Sequence, residues 1–321
     1  MTRFKRIDLS KVRTTSIQER KSKVGTNDFA TVYDPVQQSF SQFLDSLPSI
    51  LVANDFRKVV QRVVDARKND KPVIVMMGAH VIKVGCSPVI IDLIKQNIVT
   101  AVAMNSAAAI HDVETAMWGV TSEDVAVNLM DGSFGMWTET GEFINEVITK
   151  TFHESDAGYG EAIGEALIKK NAPNLDFSIL AAGLSSNIPV TVHAAIGTDI
   201  NHQQPTMSGA ATGEVSFRDF RTLCDAVSGL TGGGVVLNFG SAVILPEVFL
   251  KALTVARNVG HKAKGFVTVN FDMIQHYRPR VNVVQRPTQD GGEGYSITGH
   301  HEIMIPLLAA AIKDVMFNDG K

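Results

Sequence analysis

The sequence predicts an α/β protein built on a doubly wound, mainly parallel sheet, with helices on both faces and further helices added at the N-terminal end and in mid-chain. Three observations carry this expectation. Short, wholly apolar runs recur, among them PVIVMM (72–77), TAVAM (100–104) and GVVLNFG (234–240), as in strands buried on both faces. Amphipathic stretches of helical period separate them. Local stop and start signals fall between the two, such as Gly78 after the first run and the Ser-Pro that opens residue 87 onward. Alternation of this kind builds an open parallel sheet covered by helices, a Rossmann-like arrangement.

In chain order, residues 1–24 carry eight Lys/Arg against two acids and little apolar periodicity. Residues 1–35 are read as a basic N-terminal arm, mobile or lying on a neighbouring subunit, and 36–321 as a single α/β domain. The stretch from Phe40 to Ala66 is expected to be helical, because Phe56, Val59, Val60 and Val63 recur at three- and four-residue spacing. After strand 72–77, SPVIIDLIKQN (87–97) reads as a helix with a Ser cap and Pro at its first position. Strand 100–104 follows, then a helix carrying Ala107 to Met117. The segment MDGSFGMWTETG (130–141) interrupts the pattern, with helices expected at 142–152 and 159–171. The alternation resumes with strand IPVTVHAAI (188–196), helix 216–228, strand 234–240, helix 245–259 and strand AKGFVTVNF (263–271). A long loop leads to a closing helix over 302–317. Gly232, Gly233 and Gly234 precede a strand and mark a turn rather than a phosphate loop.

Composition narrows the function classes. With 321 residues, 45% hydrophobic and 20% charged, the chain has the make-up of an ordinary globular protein with a sizeable core. A formal net charge of −3 gives no bulk attraction to nucleic acid or to an anionic membrane. Two cysteines, Cys86 and Cys224, argue against a disulfide scaffold and fit a reducing compartment. No segment approaches the ~20 apolar residues of a membrane span. The expectation is a cytoplasmic protein without a nucleic-acid or membrane partner.

In an open parallel sheet, ligands bind in the loops beyond the carboxyl ends of the strands. Those loops hold most of the unusual polar residues, including His80, His111, Asp112, Asp199, His202, Asp272, His276 and Arg278. Small residues at Gly78, Ala79, Gly85 and 106–109 would let a backbone approach a phosphate or ribose, and helix starts after such turns offer N–H groups to an anion. The spacing is not GxGxxG, and small residues also pack helices onto sheets. His193, His202 and Asp199, or the triplet His300-His301-Glu302, raise a metal hypothesis. No HExxH or similar motif supports it, so no metal is expected.

The stretch GAHVIKVGCSPVIIDLIKQNIVTAVAMNSAAAIHDVETAMWG (78–119) resembles the nicotinamide-binding start of the deoxyhypusine synthase family. Asn105 to Ala109 stand at that family's small-residue turn, with His111-Asp112 in register. SILAAGLSSNIPVTVHAAIGTD (178–199) is similar to the family's helix and strand that lead to a binding-site aspartate, Asp199 matching with one residue inserted. Asn270 and Asp272 match a later strand and acidic loop, and EIMIPLLAAAI (302–312) the final helix. The resemblance spans roughly 50–315 and implies a Rossmann-like fold, NAD as cofactor and a homotetramer with sites at subunit contacts. It departs from the family at decisive places. Leu245 stands where the family's catalytic lysine belongs, and leucine cannot form an imine. His276-Tyr277-Arg278-Pro279-Arg280 replaces an acidic, Ser-Gly-rich substrate loop, and His300-His301-Glu302 replaces a nucleotide contact. Arginines and histidines suit an anionic or neutral ligand better than a polyamine.

The leading expectation is therefore an NAD-binding enzyme that acts on a small substrate other than protein-bound lysine. Gly78, Ala79, Ser106, Ala107, Asp112, His300 and Glu302 would contact the cofactor. Asp199, Asp272, His276 and His202 would serve catalysis, with His193, Arg278 and Arg280 on the substrate. Two alternatives stand beside it: aminobutyl transfer from a polyamine without a lysine imine, and a non-catalytic ligand-binding or assembly protein.

Overall fold

The computed structural model describes residues 3–318; the first two residues of the expected arm and the last three of the expected domain lie outside that range. The chain divides into two compact units, Met1–Asn54 and Asp55–Lys321. In the first, three short helical turns precede α1 (Phe40–Ser46). Ser39 caps α1, accepting the N–H of Gln42, whose side chain returns to the Ser39 N–H. The long helix expected over 40–66 is two: α1 ends ahead of Pro48, and α2 (Leu51–Lys68) restarts after it. A proline disfavours helical backbone in the residue before it, which is where the helix breaks.

The second unit is a six-stranded, all-parallel sheet of order β3-β2-β1-β4-β5-β6. Its strands are β1 (Val73–Met77), β2 (Ala101–Asn105), β3 (Val190–His193), β4 (Val235–Phe239), β5 (Val267–Asp272) and β6 (Glu293–Thr298). α3 (His80–Lys83) and α4 (Ser87–Lys95) link β1 to β2. α5 (Ser106–Trp118), α6 (Val125–Asp131), α7 (Thr138–Glu154), α8 (Tyr159–Lys169) and α9 (Ile179–Ser185) fill the long passage to β3. α10 (Gly209–Ser228) crosses back to β4, and α11 (Ile244–Asn258) leads to β5. Helical turns beginning with α12 (Tyr277–Pro279) lead to β6, and α13 (His301–Asn318) follows it.

Strands β1, β3, β4 and β5 are buried at every residue and β2 at all but Asn105, which their largely apolar sequences already imply. One face, presenting Ile74, Met76, Ala101, Ala103 and Val236, packs on Leu223 and Val227 of α10 and on Phe249 and Leu253 of α11. Right-handed crossovers place the β1-to-β2 helices on the opposite face from those that follow β4, because the two halves wind outward in opposite directions. α4 packs there against α13. Two expected strands are shorter than their apolar runs, β3 covering 190–193 and β5 starting at 267. No helix among the described residues is long and apolar enough to cross a membrane.

Candidate functional site at the carboxyl edge of the sheet

The strand order reverses between β1 and β4, so the loops after these two strands diverge and leave a crevice, the switch point of a doubly wound sheet. Two glycines meet there. The Gly78 N–H donates to Phe239 O (3.1 Å) and the Gly240 N–H to Phe271 O (3.2 Å), each continuing the ladder one residue past its strand. A Cβ on Gly78 would lie 2.8 Å from Gly240 O, and one on Gly240 would lie 2.6 Å from the His301 ring. Gly240 also has φ +66°, so both size and backbone conformation select glycine.

His301, the first residue of α13, is buried over Gly240. Its Nε2 lies 3.1 Å from Phe271 O. A carbonyl only accepts, so Nε2 carries a proton, and in the neutral ring Nδ1 is then an acceptor, buried and without a partner. The His80 ring packs edge-on to it at 5.5 Å. Burial, then repulsion between the two rings when both are protonated, pushes His80 below the ordinary imidazole range, against weaker support from Glu302 and Asp272. Asn238 of β4 donates to Asn270 Oδ1 (2.7 Å) and Ser241 O (3.1 Å), and its own Oδ1 is a second buried, unpartnered acceptor. Asp272 ends β5 buried, next to a Gln275 side chain that Asn270 binds at 2.7 Å.

The expected residues near β2 and β3 form a second cluster. The Ser106 hydroxyl donates to Asp199, and Thr198 does so at 3.3 Å. His202 Nδ1 accepts the N–H groups of Gly197 (3.2 Å) and Asp199 (3.3 Å), leaving Nε2 buried without a partner. Burial lowers the His202 pKa, with Asp199 opposing. Ala107 and Asp199 line a cavity of about 480 Å3 beside this cluster.

Other expected residues lie elsewhere. Asp112 is fully buried and holds the start of α9, accepting the Ser178 hydroxyl (2.5 Å) and the Ile179 N–H (2.7 Å). Burial raises its pKa to about 6 despite those bonds. His193 is buried at the end of β3 against Thr191 Oγ1 (3.0 Å), and burial drops its pKa to about 3. His276, Arg278 and Arg280 are exposed, Arg278 reaching Glu247 at 3.3 Å. His300 and Glu302 are exposed 3.7 Å apart at the start of α13. Leu245, at the position of the family's lysine, lies in the first turn of α11 and is fully buried in the core. No three His, Cys, Asp or Glu among the described residues gather as a metal site. Sequence reasoning missed the Asn238–Asn270 pair, although an asparagine inside each of two apolar strand runs was the available signal.

Residues 57–151 match the family model for the arginine dihydrolase ArgZ-like C-terminal Rossmann fold. A comparison with curated proteins finds no match. Among solved structures, a mutant of AgrE bound to L-arginine superposes with TM-score 0.52 at 14% identity, over 88% of this chain and 34% of that one. A conserved protein of LOR/SDH type from Methanococcus maripaludis S2 gives 0.51 at 14% identity, over 82% and 70%. A protein of Entamoeba histolytica described as a deoxyhypusine synthase gives 0.50 at 11% identity, over 88% and 95%. This chain spans only 31% and 34% of the ArgZ and AgrE chains it matches. At such identities the likeness is one of fold, and the fold is a Rossmann-like α/β architecture with a six-stranded parallel sheet.

Proposed function

We propose that the chain binds a nicotinamide dinucleotide along the carboxyl edge of its sheet and acts on a small substrate other than a protein-bound lysine. The observation that carries this reading is the switch point itself: strand order 3-2-1-4-5-6 with Gly78 and Gly240 in backbone contact and two unfilled acceptors, Asn238 Oδ1 and His301 Nδ1, beside them. Buried acceptors without partners are rare and costly, and a carboxamide or hydroxyl donor from a ligand would satisfy them. On the β2 side, the first N–H groups of α5 at Ser106 and Ala107 point past the strand end, where an anionic phosphate is stabilised. These residues fit a dinucleotide. When bound, such a cofactor would supply hydride transfer.

In this reading Gly78, Ala79, Ser106 and Ala107 stand along the cofactor, and His301 orients it. Asp272 and the exposed His276 face the substrate, and Arg280 offers an exposed cation to an anionic group. Buried Leu245 leaves no amine at the family's imine position, which favours a changed substrate over lysine modification. A homotetramer is proposed with it, to be read by light scattering.

The test is a calorimetric titration of NAD and NADP into apo protein. Micromolar affinity for one of them is expected, with Ala79→Asp weakening it by about tenfold or more through repulsion of the pyrophosphate while the melting temperature is kept. Folded protein that binds neither at millimolar concentration overturns the reading.

A further inference from the structure

Between Glu123 and Gly135 the chain makes an excursion that is built inside out. Its polar groups turn inward on the excursion itself. Glu123 accepts the Gly135 N–H (3.1 Å) and Asn128 Nδ2 (2.7 Å), which closes the base. Asp124 caps α6 by accepting the Val127 N–H (3.1 Å), and Asp131 accepts the Ser133 hydroxyl (2.6 Å) and N–H (3.0 Å). The Phe134 N–H reaches Asn128 O (3.0 Å). Gln203 and Gln204 hold the base, donating to Phe134 O (2.6 Å) and Gly135 O (3.2 Å). A segment tied in this way is a shaped protrusion, not a slack loop.

Its apolar side chains face outward instead. α6 buries none of its residues. Val125 and Leu129 share one side at four-residue spacing, Ala126 and Met130 the next, and Val127 lies round the far side. Leu129 is 66% and Met130 82% exposed. A helix apolar on every side belongs in an enclosed position. Trp118 and Trp137 flank it, both partly exposed, and with Val125 they line the cavity of about 480 Å3. The apolar surface therefore runs on from the helix to the rim of that cavity.

Area and charge decide what covers it. The exposed large apolar side chains of 118–137 present on the order of 800 Å2, the share one partner gives up in a stable interface of standard size. No Lys or Arg occurs from 96 to 149, so no long cation has to be stripped of water at the centre of this face. A face that is apolar and poor in charge at its centre is typical of permanent assemblies of identical subunits, whereas transient partners meet on surfaces no more apolar than the rest. The acids Asp124 and Asp131 stand at the two ends of α6, at the edge of a contact centred on the helix.

We infer that the face carried by α6, with Trp118 and Trp137 beside it, docks a second copy of this chain, like face on like face about a two-fold axis. Such pairing is closed, so it leaves no exposed helix to recruit further copies. The partner would also cover the rim of the cavity. The inference rests on the chain being an oligomer and not on dinucleotide binding.

Sedimentation of the full chain over a concentration series is the test. Tryptophan emission is a second readout, because both tryptophans of the chain lie in this face. A dimer at micromolar concentration is expected, or a larger assembly that contains this contact. Leu129→Glu and Met130→Glu each put a carboxylate into the contact, at positions exposed in the single chain, so the fold is kept. Each should weaken association by about a hundredfold or more and shift the emission to the red. Val259→Glu, at an exposed apolar position that ends α11, is the control and should leave association within about twofold. Added NaCl should tighten the contact, since it screens the acids that two like faces bring together. A monomer at about 100 μM overturns the inference together with the assembly proposed above. An oligomer indifferent to both glutamate substitutions overturns the inference alone. Association that loosens with salt means that a basic surface meets this face, and overturns the pairing of like faces.

Discussion

The Asp219 carboxylate lies within α10 but is turned onto neighbouring backbone, its Oδ2 accepting the Gly160 N–H at 2.9 Å and the Val192 N–H at 2.6 Å. Burial outweighs those bonds, with a small push from Glu161, and raises its pKa to about 7. Because the folded pKa exceeds the unfolded one, the folded state holds a proton that the unfolded state has released. The stability this group contributes is thus present in full below about 4 and lost as pH rises through about 7. Asp112, raised to about 6, acts in the same sense. His193, lowered to about 3, acts oppositely, since the unfolded chain takes up its proton below about 6.5 and stability there falls with pH. Wild-type melting alone therefore mixes signs, and the informative quantity is the difference between wild type and Asp219→Asn. The neutral variant should melt relatively higher at pH 8 than at pH 5, by on the order of a few kcal/mol of stability. A difference that does not change with pH would mean the carboxyl is not held protonated. Little of this was legible in sequence, where Asp219 sits among alternating polar and aromatic residues of an apparently solvated helix. The absent lysine at Leu245 was legible, because identity alone settles whether an amine is present. The part played by Asp112 was not, since its place in a His-Asp pair says nothing of the helix start packed on it.

At the scale of elements, α8 approaches the edge strand β3 without a side chain between them. A Cβ on Gly160 would lie 1.7 Å from Val190 O, well inside contact distance. Gly160→Ala is therefore expected to destabilise the protein by about 2 kcal/mol or more, although alanine is the better helix former by roughly 1 kcal/mol. Gly213 on α10 is the internal control: it is exposed with nothing within 4 Å of its Cβ position, so Gly213→Ala should be neutral or slightly stabilising. Denaturant titration of both variants reads the contrast, and equal effects would refute the close approach. Apolar strands with capped helices were legible because their burial is written in composition. β6 was not: EGYSIT has one fully buried residue, Ile297, and its strand character comes from pairing with β5, held at its start by the Arg62–Glu293 ion pair. α6 was equally hidden, since VAVNLMD has the composition of a core helix and yet buries none of its residues.

For the molecule as a whole, the order of the strands is the property that composition could not supply, because any permutation of equally apolar strands buries the same side chains. What sets it is connection geometry: the long α10 crossover carries the chain from the β3 edge back to the centre, and the second half then winds outward from β1. That arrangement predicts a gradient in hydrogen exchange. β1 and β4 are bonded on both sides and fully buried, so their amides can exchange only when the sheet opens globally. β6 is bonded on one side, to β5, and is mostly half-exposed, so it can peel away at lower cost. β3 is also an edge, but its residues are buried, and the Val192 N–H that would face outward is bonded to Asp219. Exchange measured at neutral pH should therefore rank β1 and β4 slowest, β3 intermediate and β6 fastest. Asp219→Asn should move β3 while leaving β1 unchanged relative to global stability. If β6 exchanges as slowly as β1, the sheet opens as a single unit and the edge has no independent freedom. If β3 exchanges as fast as β6, the carboxylate of α10 does not close that edge.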